Sequence, residues 1–439
     1  MKKNNGFSSI YVILCLSSLV LFLLCTLELC SGYAAGSICE NVCLVAGKSV
    51  LSEYQPDLQR RYGIFAVSSY PQKLGPLNAF YIRQNLNGTS LLVRPKLTAC
   101  EVSCEETQGL DVQTLASQID TLGLMMLGKD ALDESGALEL LKEMLLPLEK
   151  RKDKDAAEQV KDIPPPSGEE QKGKSPAQLM KEYDEAMHPD LGEQEGRSLV
   201  SAQKEQLPSR LLDVKPSSSL LKYAVSALMQ DGLSPGALLQ SRYTVSVCSN
   251  LLHMRDDTVL GLETEYVLFG RETDRENETE MKEALFKIRM AVDLASNLRN
   301  ETKLSSYAAA AAAFPAVPQP LAVLLLAAID AAVQAKGEVQ TLCSGGFVAI
   351  APGSGVQGRF GTYRDYALLL LLLLPQQTRL ARLMDVMQVN VAYMDGSAFA
   401  FRDYCYGFLL HAEFEKKSFL PVLSGASRRG TVEQAHVYR

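Results

Sequence analysis

One glycine-rich stretch has the spacing of a nucleotide-binding loop. Gly353-Ser-Gly-Val-Gln-Gly358 matches Gly-x-Gly-x-x-Gly, and Phe347-Val-Ala-Ile350 before it has the composition of a strand. In a dinucleotide-binding fold such a loop opens a helix directly, and a ribose-binding acid follows about 20 residues later. Here Arg359-Phe-Gly-Thr362 comes between the loop and the next helical pattern, and a leucine-rich helix occupies the position of the acid. We interpret the stretch as a loop before a helix and predict no cofactor.

A pair of carboxylates is the second candidate for chemistry. Glu263 and Glu265 lie in a stretch, 261–270, that alternates like a strand, so they would share one face and could do acid–base work. We prefer the interpretation that the two carboxylates lie on a solvated strand face. His253 and His411 have no partnering pattern, and the sequence contains no Gly-x-Ser-x-Gly, Walker loop or His-Glu-x-x-His. We predict that the protein is not an enzyme.

The ten cysteines are dispersed along the chain. Cys39 and Cys43 would share a helix face, as would Cys100 and Cys104 if their segment were helical. A disulfide does not fit this spacing on one helix turn. A metal site would need two further ligands, and none of the four histidines stands in a ligand pattern. We predict structural thiols and no metal.

Length and charge limit the class of protein. The chain has 439 residues, enough for two or three domains, and 47% of them are hydrophobic. The net charge of −7 disfavours nucleic acid as a partner, because no excess of basic residues offsets phosphate repulsion.

An apolar N-terminal segment dominates the organisation of the chain. Ile10 to Leu27 contains no charged residue, follows Lys2 and Lys3, and ends at Glu28. Eighteen helical residues span about 27 Å, close to the thickness of a bilayer's hydrocarbon core. The pattern stays helical beyond Glu28, and the first proline is Pro56. We predict one long helix, with its first half in the membrane and its second half facing solvent or a partner.

Three interpretations of this segment compete. A retained signal anchor is preferred, because the apolar run exceeds the roughly 7–15 residues of a secretory signal core. A cleaved signal is the second, since Gly32-Tyr-Ala34 offers small residues two apart. A buried core helix is the third. With the basic flank at the N-terminus, we predict a single-pass protein with a cytoplasmic N-terminus and an extracellular C-terminal bulk.

The sequence predicts an α+β fold, in which a long N-terminal transmembrane and stalk helix precedes a mostly helical head with a small antiparallel sheet. We divide the chain into an anchor (1–29), a stalk helix (30–66), a small α/β segment (67–147), a charged disordered linker (148–207), a C-terminal α+β domain (208–423) and a loose tail (424–439). The linker assignment rests on composition, since 24 of its 60 residues are charged.

Individual elements follow from periodicity and turn signals. Strands are predicted at 240–252 and 261–270, and hairpins at 80–94 around Asn87-Gly88 and at 397–414. Helices are predicted at 111–149, from 217, at 278–300 after an N-cap near Thr273, at 321–335, and at 363–391 with Pro375 inside. Asp330 and nearby prolines argue against a second membrane span at 308–335.

These blocks, taken in order, resemble a bacterial family of unknown function from Gram-positive anaerobes. The matching pieces are Thr26-Leu-Glu28, Ser49-Val-Leu-Ser-Glu-Tyr54, Tyr62-Gly-Ile-Phe65, Glu265-Tyr-Val-Leu-Phe-Gly270, Asp274-Arg-Glu-Asn277, Tyr363-Arg-Asp-Tyr-Ala-Leu368 and Met384-Asp-Val-Met-Gln388. Members look like single-anchor exported proteins, often associated with tight-adherence (Tad) type pilus genes. The resemblance implies a membrane-anchored, extracellular, pilin-like component and carries no catalytic residues.

The pilin analogy makes a prediction at the N-terminus. A prepilin has a short basic leader, a glycine cleavage site and an apolar helix with glutamate at the fifth position. Lys2-Lys3 and Gly6-Phe7 fit the leader and the cleavage site, whereas the fifth position holds Tyr11.

The predicted partners are the lipid bilayer and other pilin-like membrane helices or a second copy of the chain. Gly32, Ala35 and Gly36 are the candidate packing residues, because small side chains let helices approach closely. Two alternatives to an assembly component remain, a cell-envelope binding or sensor module acting alone and an envelope hydrolase.

Overall fold

The computed structural model describes residues 5–87, 95–104, 112–130, 175–192, 196–197, 235–349, 360–395, 399–418 and 427–438. The chain forms two compact units. Unit 1 contains residues 1–114 and 400–439, and unit 2 contains residues 115–399. The predicted fold class is confirmed, because the structure is mostly helical with small antiparallel sheets and a long apolar N-terminal helix.

Unit 1 is built on a single long helix, α1 (Asn5–Leu51). As predicted, α1 is continuous, but it ends at Leu51, so the helix does not extend through the whole predicted stalk (30–66). Pro56 opens a separate short helix, α2 (Pro56–Tyr62), which ends at Gly63 with a left-handed φ of 67°. The unit continues through β1 (Val67–Ser68), α3 (Pro71–Asn87) and β2 (Lys96–Ser103). Its C-terminal part adds a 3-10 turn (Phe401–Asp403), β5 (Tyr404–Cys405), β6 (Gly407–Lys417) and β7 (Ser427–Val437).

The sheet of unit 1 joins distant parts of the chain. β6 lies in the middle of an antiparallel sheet of order β2-β6-β7, and β1 pairs with β5. One face of β6 carries Phe408, Leu410, Ala412 and Phe414, which pack with the C-terminal half of α1 and with α3. Along α1, the residues in this core recur at helical spacing, at positions 39, 42, 43, 46 and 50.

Two strand predictions in unit 1 and the prediction of a loose tail are corrected. Phe80–Ile82 lies in helix α3 rather than in a hairpin, with Leu74, Ala79 and Ile82 buried on one side. The predicted hairpin within 397–414 is replaced by β5 and one long strand, β6, whose partners are β2 and β7. The predicted loose tail contains strand β7, because its backbone pairs with β6 over eleven residues. Thr89–Arg94 lies outside the described residues.

Unit 2 is helical. Its helices are α4 (Val112–Asp130, which starts in unit 1), α5 (Pro176–Met187), α6 (Pro235–Val247), α7 (Glu263–Phe269), α8 (Asp274–Arg299), α9 (Glu301–Ala311), α10 (Gln319–Cys343), α11 (Tyr363–Leu373) and α12 (Gln376–Asp395). A two-stranded ladder joins β3 (Val348–Ala349) to β4 (Phe360–Gly361).

The strands predicted at 240–252 and 261–270 are helices α6 and α7. In α6 the polar side chains of Gln240, Ser241 and Thr244 are buried with their apolar neighbours. In α7 every residue from Glu263 to Phe269 is buried. When a segment is buried all round, alternation of polar and apolar residues no longer reports which face meets the core, and tertiary packing overrides β propensity.

Several helices match their predictions, and one divides. Thr273 caps α8 by accepting from the N–H of Glu276, and Asn300 caps α9. The predicted helix at 363–391 is two helices, because Pro375 lacks an N–H and forces Leu374 to an extended ψ of 136°. α5 lies inside the predicted linker; Ser175 and Gln178 form its capping box, and Leu179 packs with Tyr307 and Phe314.

Predictions at 131–149, around 217–228 and at Gly353–Gly358 fall outside the described residues. The rest of the predicted linker lies there too, apart from 175–192 and 196–197.

Candidate functional site

The first half of α1 presents an apolar surface that nothing in the described part of the chain covers. Large apolar side chains from Ile10 to Leu24 are between 38% and 68% exposed. None of the most apolar 18-residue window of this helix is buried. A soluble helix normally buries such a stripe, and a helix that is apolar on all sides belongs in a core or a membrane. This segment is long and apolar enough to cross a bilayer.

Glu28 marks the change from the exposed to the packed part of α1. Its side chain is only 5% exposed and accepts a hydrogen bond of 2.7 Å from Ser418 Oγ. Glu28 lies seven residues before Ala35 and therefore on the face of the helix that enters the core. The charge that ends the apolar run thus begins the contact between α1 and the rest of unit 1.

β7 follows α1 along its packed half. Gln434 donates to the Glu40 carbonyl oxygen at 3.1 Å, and Tyr438 Oη donates to the Leu51 carbonyl oxygen. A Cβ on Gly47 would lie 2.2 Å from His436 Cε1, so only glycine allows the buried His436 ring to approach here. Burial lowers the pKa of His436. Sequence analysis missed this contact, since no local pattern links residues 47 and 436.

The predicted processing and packing residues occupy different environments. Gly6 and Phe7 lie in the first turn of α1. Ala35 is 6% exposed within unit 1, and Gly32 faces Arg428, whose Nη1 is 4.0 Å from an ideal Cβ. Gly36 is exposed and has open space around its Cα. Of the three candidate packing residues, Gly36 therefore leaves most room for another helix.

Five cysteines lie in the core of unit 1. Burial raises the pKa of Cys39 to about 11 and that of Cys43 to about 12, which keeps both thiols protonated. Cys405 Sγ donates to Cys104 Sγ at 3.7 Å, and this hydrogen bond lowers the pKa of Cys104. Cys100 is the fifth, and its Sγ donates to the Gly75 carbonyl oxygen at 3.7 Å.

The carboxylates Glu263 and Glu265 do not form a solvated pair. On helix α7 they point to different sides, and both are fully buried. Glu263 accepts from the N–H of Ser249 at 2.8 Å and from Asn390 Nδ2. Glu265 accepts from the N–H of Leu251 at 3.1 Å and from Tyr363 Oη. Both therefore fix the 249–251 turn against the helices.

Desolvation raises the pKa of Glu265 to about 7, although its hydrogen bonds oppose the shift. Its Oε2 is buried and has no hydrogen-bond partner in the described residues. This arrangement suits a protonated carboxyl group in a closed core.

Asp274 and Asn277 hold the start of α8, as predicted for helix-start residues. Asp274 accepts from the backbone N–H groups of Gly261, Leu262 and Arg197 at 2.8 to 3.0 Å. Asn277 accepts from the N–H of Arg271 at 3.0 Å and donates to the carbonyl oxygens of Arg271 and Thr273. The side chains of Asp274 and Asn277 therefore form hydrogen bonds with the surrounding backbone.

A second buried network joins three helices of unit 2. Arg289 on α8 donates to Asp293 at 3.1 Å, to Glu338 on α10 at 2.5 Å and to Tyr366 on α11 at 2.9 Å. α10 passes the length and apolarity test for a membrane span, but half of its window is buried. Its Asp330 accepts from Tyr307 and lies 3.3 Å from Lys303 Nζ. These contacts pack α10 as a core helix.

The candidate chemical groups are not brought together. His253 is exposed and His411 lies on β6 in the other unit. Within the described ranges, no group of three or more His, Cys, Asp or Glu side chains converges as a metal site would require.

Fold and site together define an α+β protein whose N-terminal apolar helix is suited to anchor it in a membrane. Residues 167–416, more than half of the chain, match a family described as "Family of unknown function (DUF5702)", and the chain belongs to that family. The match begins well after α1 and ends within β6. No curated protein matches the chain, and no solved structure does so.

Proposed function

We propose that the protein is a membrane-anchored extracellular surface protein that acts as a structural or assembly component of a pilus-like apparatus of the tight-adherence type. The observation that carries the proposal is the division of α1. Its first half exposes apolar side chains throughout, while its second half is locked into unit 1 by core packing and by contacts from Glu28 to Leu51.

A continuous helix couples the orientation of the part in the membrane to the orientation of the part outside it. Because α1 runs without a break from Asn5 to Leu51, a partner that binds its apolar half in the membrane also fixes the orientation of unit 1 outside. This layout suits a subunit that assembles by helix-to-helix packing, with the exposed Gly36 just outside the membrane as a close-approach point. The basic Lys2-Lys3 flank favours a cytoplasmic N-terminus and a single span.

The buried carboxylates of unit 2 favour a structural role over an enzymatic one. Glu263, Glu265 and Asp274 are buried and occupied by backbone N–H groups or by Asn390 and Tyr363. A hydrolase needs a carboxylate that reaches a substrate, so the envelope hydrolase is the weakest of the alternatives.

The first experiment determines the intact mass and N-terminal sequence of the protein purified from membranes. A start at Phe7 supports processing of the prepilin type and the pilus-like role. A start near Ala35 would contradict the anchor, since the apolar half would be lost. An unprocessed N-terminus keeps the anchor and leaves the pilus-like role to the crosslinking experiment.

Crosslinking in membranes tests assembly. Gly36→Leu should abolish helix-to-helix crosslinks through the exposed face, whereas Val45→Leu, an apolar change at another exposed position, should not. Crosslinking that is unchanged in Gly36→Leu would overturn packing through this face.

A binding or sensor module that acts alone is the second candidate. The observation that favours it is the position of the family match, which covers most of unit 2 and leaves out α1. Co-purification separates the two roles: pilin-like partners recovered with the intact chain support assembly, and a chain recovered alone supports the module.

A further inference from the structure

The three-stranded sheet of unit 1 is charged at one end. All lysines and arginines of its described strands lie at the same end of the sheet. They are Lys96 at the start of β2, Lys416 and Lys417 at the end of β6, and Arg428 and Arg429 near the start of β7. Register brings them together, since Lys416 pairs with Arg428, while Glu415 pairs with both Lys96 and Arg429. The opposite end of these strands carries no cation.

This basic end lies beside the point where the apolar part of α1 stops. Ser418, the residue after β6, bonds to Glu28, and Arg428 Nη1 lies 4.0 Å from an ideal Cβ on Gly32. Residues 28 and 32 follow Leu27 by one and five positions, a rise of about 1.5 to 7.5 Å along the helix. The cations are therefore held at the depth at which a bilayer's headgroups begin.

Lys416 is a buried, charged part of this basic end. Its side chain faces α1, is 8% exposed, and its Nζ has no hydrogen-bond partner among the described residues. A buried ammonium without a partner is costly, because its lost hydration is not replaced. Glu28 lies beside this end through its bond to Ser418, and Glu415 pairs with Lys96 and Arg429 on the opposite face of the sheet from Lys416.

We propose that this basic end binds the phosphate groups of anionic lipids in the leaflet from which α1 emerges. On the face toward α1, the Arg428 guanidinium offers planar donor groups suited to phosphate oxygens beside its cross-strand partner Lys416, while Lys96, Lys417 and Arg429 add positive charge on the opposite face. The contact is a second attachment of unit 1 to the membrane and fixes the tilt of the sheet. The inference rests on the proposed membrane anchor and deepens it by naming the lipid class.

The absence of tryptophan from the chain allows a clean test. Ser427→Trp places one fluorophore at the exposed start of β7, beside the basic end. The full-length variant is reconstituted in vesicles of phosphatidylcholine alone or with phosphatidylglycerol, each containing brominated lipid as a quencher. We expect at least twofold stronger quenching with phosphatidylglycerol, and we expect high salt to remove the difference because it screens exposed charges.

Charge reversal identifies the residues. In the Ser427→Trp background, Lys417→Glu with Arg428→Glu and Arg429→Glu should abolish the phosphatidylglycerol dependence. The matched control reverses three exposed cations that lie off the sheet, Arg60→Glu with Lys73→Glu and Arg83→Glu, and should retain it. Equal loss in both triple variants would mean a bulk charge effect and would overturn the site.

The outcomes separate this inference from the anchor. Protein that fails to float with either vesicle after a high-salt wash contradicts the anchor itself. Protein that floats with both vesicles but shows equal quenching keeps the anchor and overturns the lipid site. Equal quenching together with an emission change on adding glycerol phosphate would assign the cations to a soluble phosphate compound, and would also overturn it. The salt and lipid dependence of Ser427→Trp alone decides the matter if the charge-reversed protein does not fold.

Discussion

Ser418 Oγ donates a 2.7 Å hydrogen bond to Glu28, although 390 residues separate them. The bond joins the end of the apolar segment of α1 to the end of the central strand of the sheet. The buried Glu28 carboxylate therefore marks where the exposed apolar half of α1 ends and the half that packs in unit 1 begins. Local sequence shows only that Glu28 ends an apolar run.

Removing this bond should destabilise unit 1. Ser418→Ala leaves Glu28 with one fewer donor in a site that is 5% exposed, so we expect a loss of about 1–2 kcal/mol in the free energy of unfolding. Urea unfolding in detergent, followed by circular dichroism, measures it. Ser427→Ala, at an exposed serine on the neighbouring strand, is the control and should change stability little; an equal loss in both variants would contradict the role of the bond.

Two glycines of α1 should respond in opposite directions to the same change. Gly47→Ala places a methyl group within 2.2 Å of the buried His436 ring, and the forced shift should cost about 1–3 kcal/mol. Gly36→Ala meets nothing within 4 Å and should gain up to about 1 kcal/mol from the lower backbone entropy of alanine. The urea midpoints of the two variants test this, and a stabilised Gly47→Ala would show that β7 does not approach α1 so closely.

Cys104 and Cys405 should form a disulfide on mild oxidation. Their sulfurs are 3.7 Å apart, and the lowered pKa of Cys104 favours its thiolate, the attacking species in exchange with an added disulfide. The Cys104 thiolate attacks glutathione disulfide, breaks its S–S bond and releases one glutathione; the Cys405 sulfur then attacks the mixed disulfide and displaces the second glutathione. Mass spectrometry of the peptides should show the 104–405 link with a loss of two hydrogen atoms.

Cys39 and Cys43 are the internal control for this oxidation. Burial raises their pKa values to about 11 and 12, so they should stay reduced under the same treatment. Cys405→Ser should abolish the link to Cys104. A link from Cys104 to Cys39 or Cys43 in the unaltered protein would contradict the predicted pairing.

Glu265 should make the stability of unit 2 fall as pH rises. Its pKa is about 7 in the folded chain against an ordinary value of 4.5, so the folded state holds a proton that the unfolded state releases. Between about pH 4.5 and 7, stability therefore declines by at most about 3.4 kcal/mol, since one pKa unit corresponds to about 1.36 kcal/mol. Above that range the contribution is constant.

Glu265→Gln removes this titration and should reduce the fall in stability between pH 5 and pH 8, whereas the part that comes from Asp293, whose pKa burial raises to about 8, should remain. Gln keeps a carbonyl oxygen that can accept from Leu251 and Tyr363. Urea midpoints at the two pH values measure the effect. Glu283→Gln, at a glutamate that is half exposed, is the control and should follow the unaltered protein. A fall in stability in Glu265→Gln as large as that of the unaltered protein would contradict the role of Glu265.

Local signals were enough to predict much of the helical structure. The apolar run and the first proline at Pro56 predicted α1, because helix formation depends on neighbours within a few residues. Thr273 predicted the start of α8 through a side chain that caps its own helix. The membrane-suited surface at Ile10 to Leu24 followed from composition alone.

Tertiary structure decided the rest. The residues of α6 and α7 alternate like strands, yet both segments are helices: α6 buries polar residues together with apolar ones, and α7 is buried throughout. Burial turns Glu263 and Glu265 from a solvated pair into core acceptors. β7 is a strand only because β6 supplies its hydrogen-bond partners, and β6 pairs with β2 more than 300 residues away. The free energy of such contacts depends on which distant segments meet. The sequence by itself therefore determined the N-terminal helix α1 and the ends of several other helices. Only the tertiary structure brought Ser418, Arg428 and His436 next to α1.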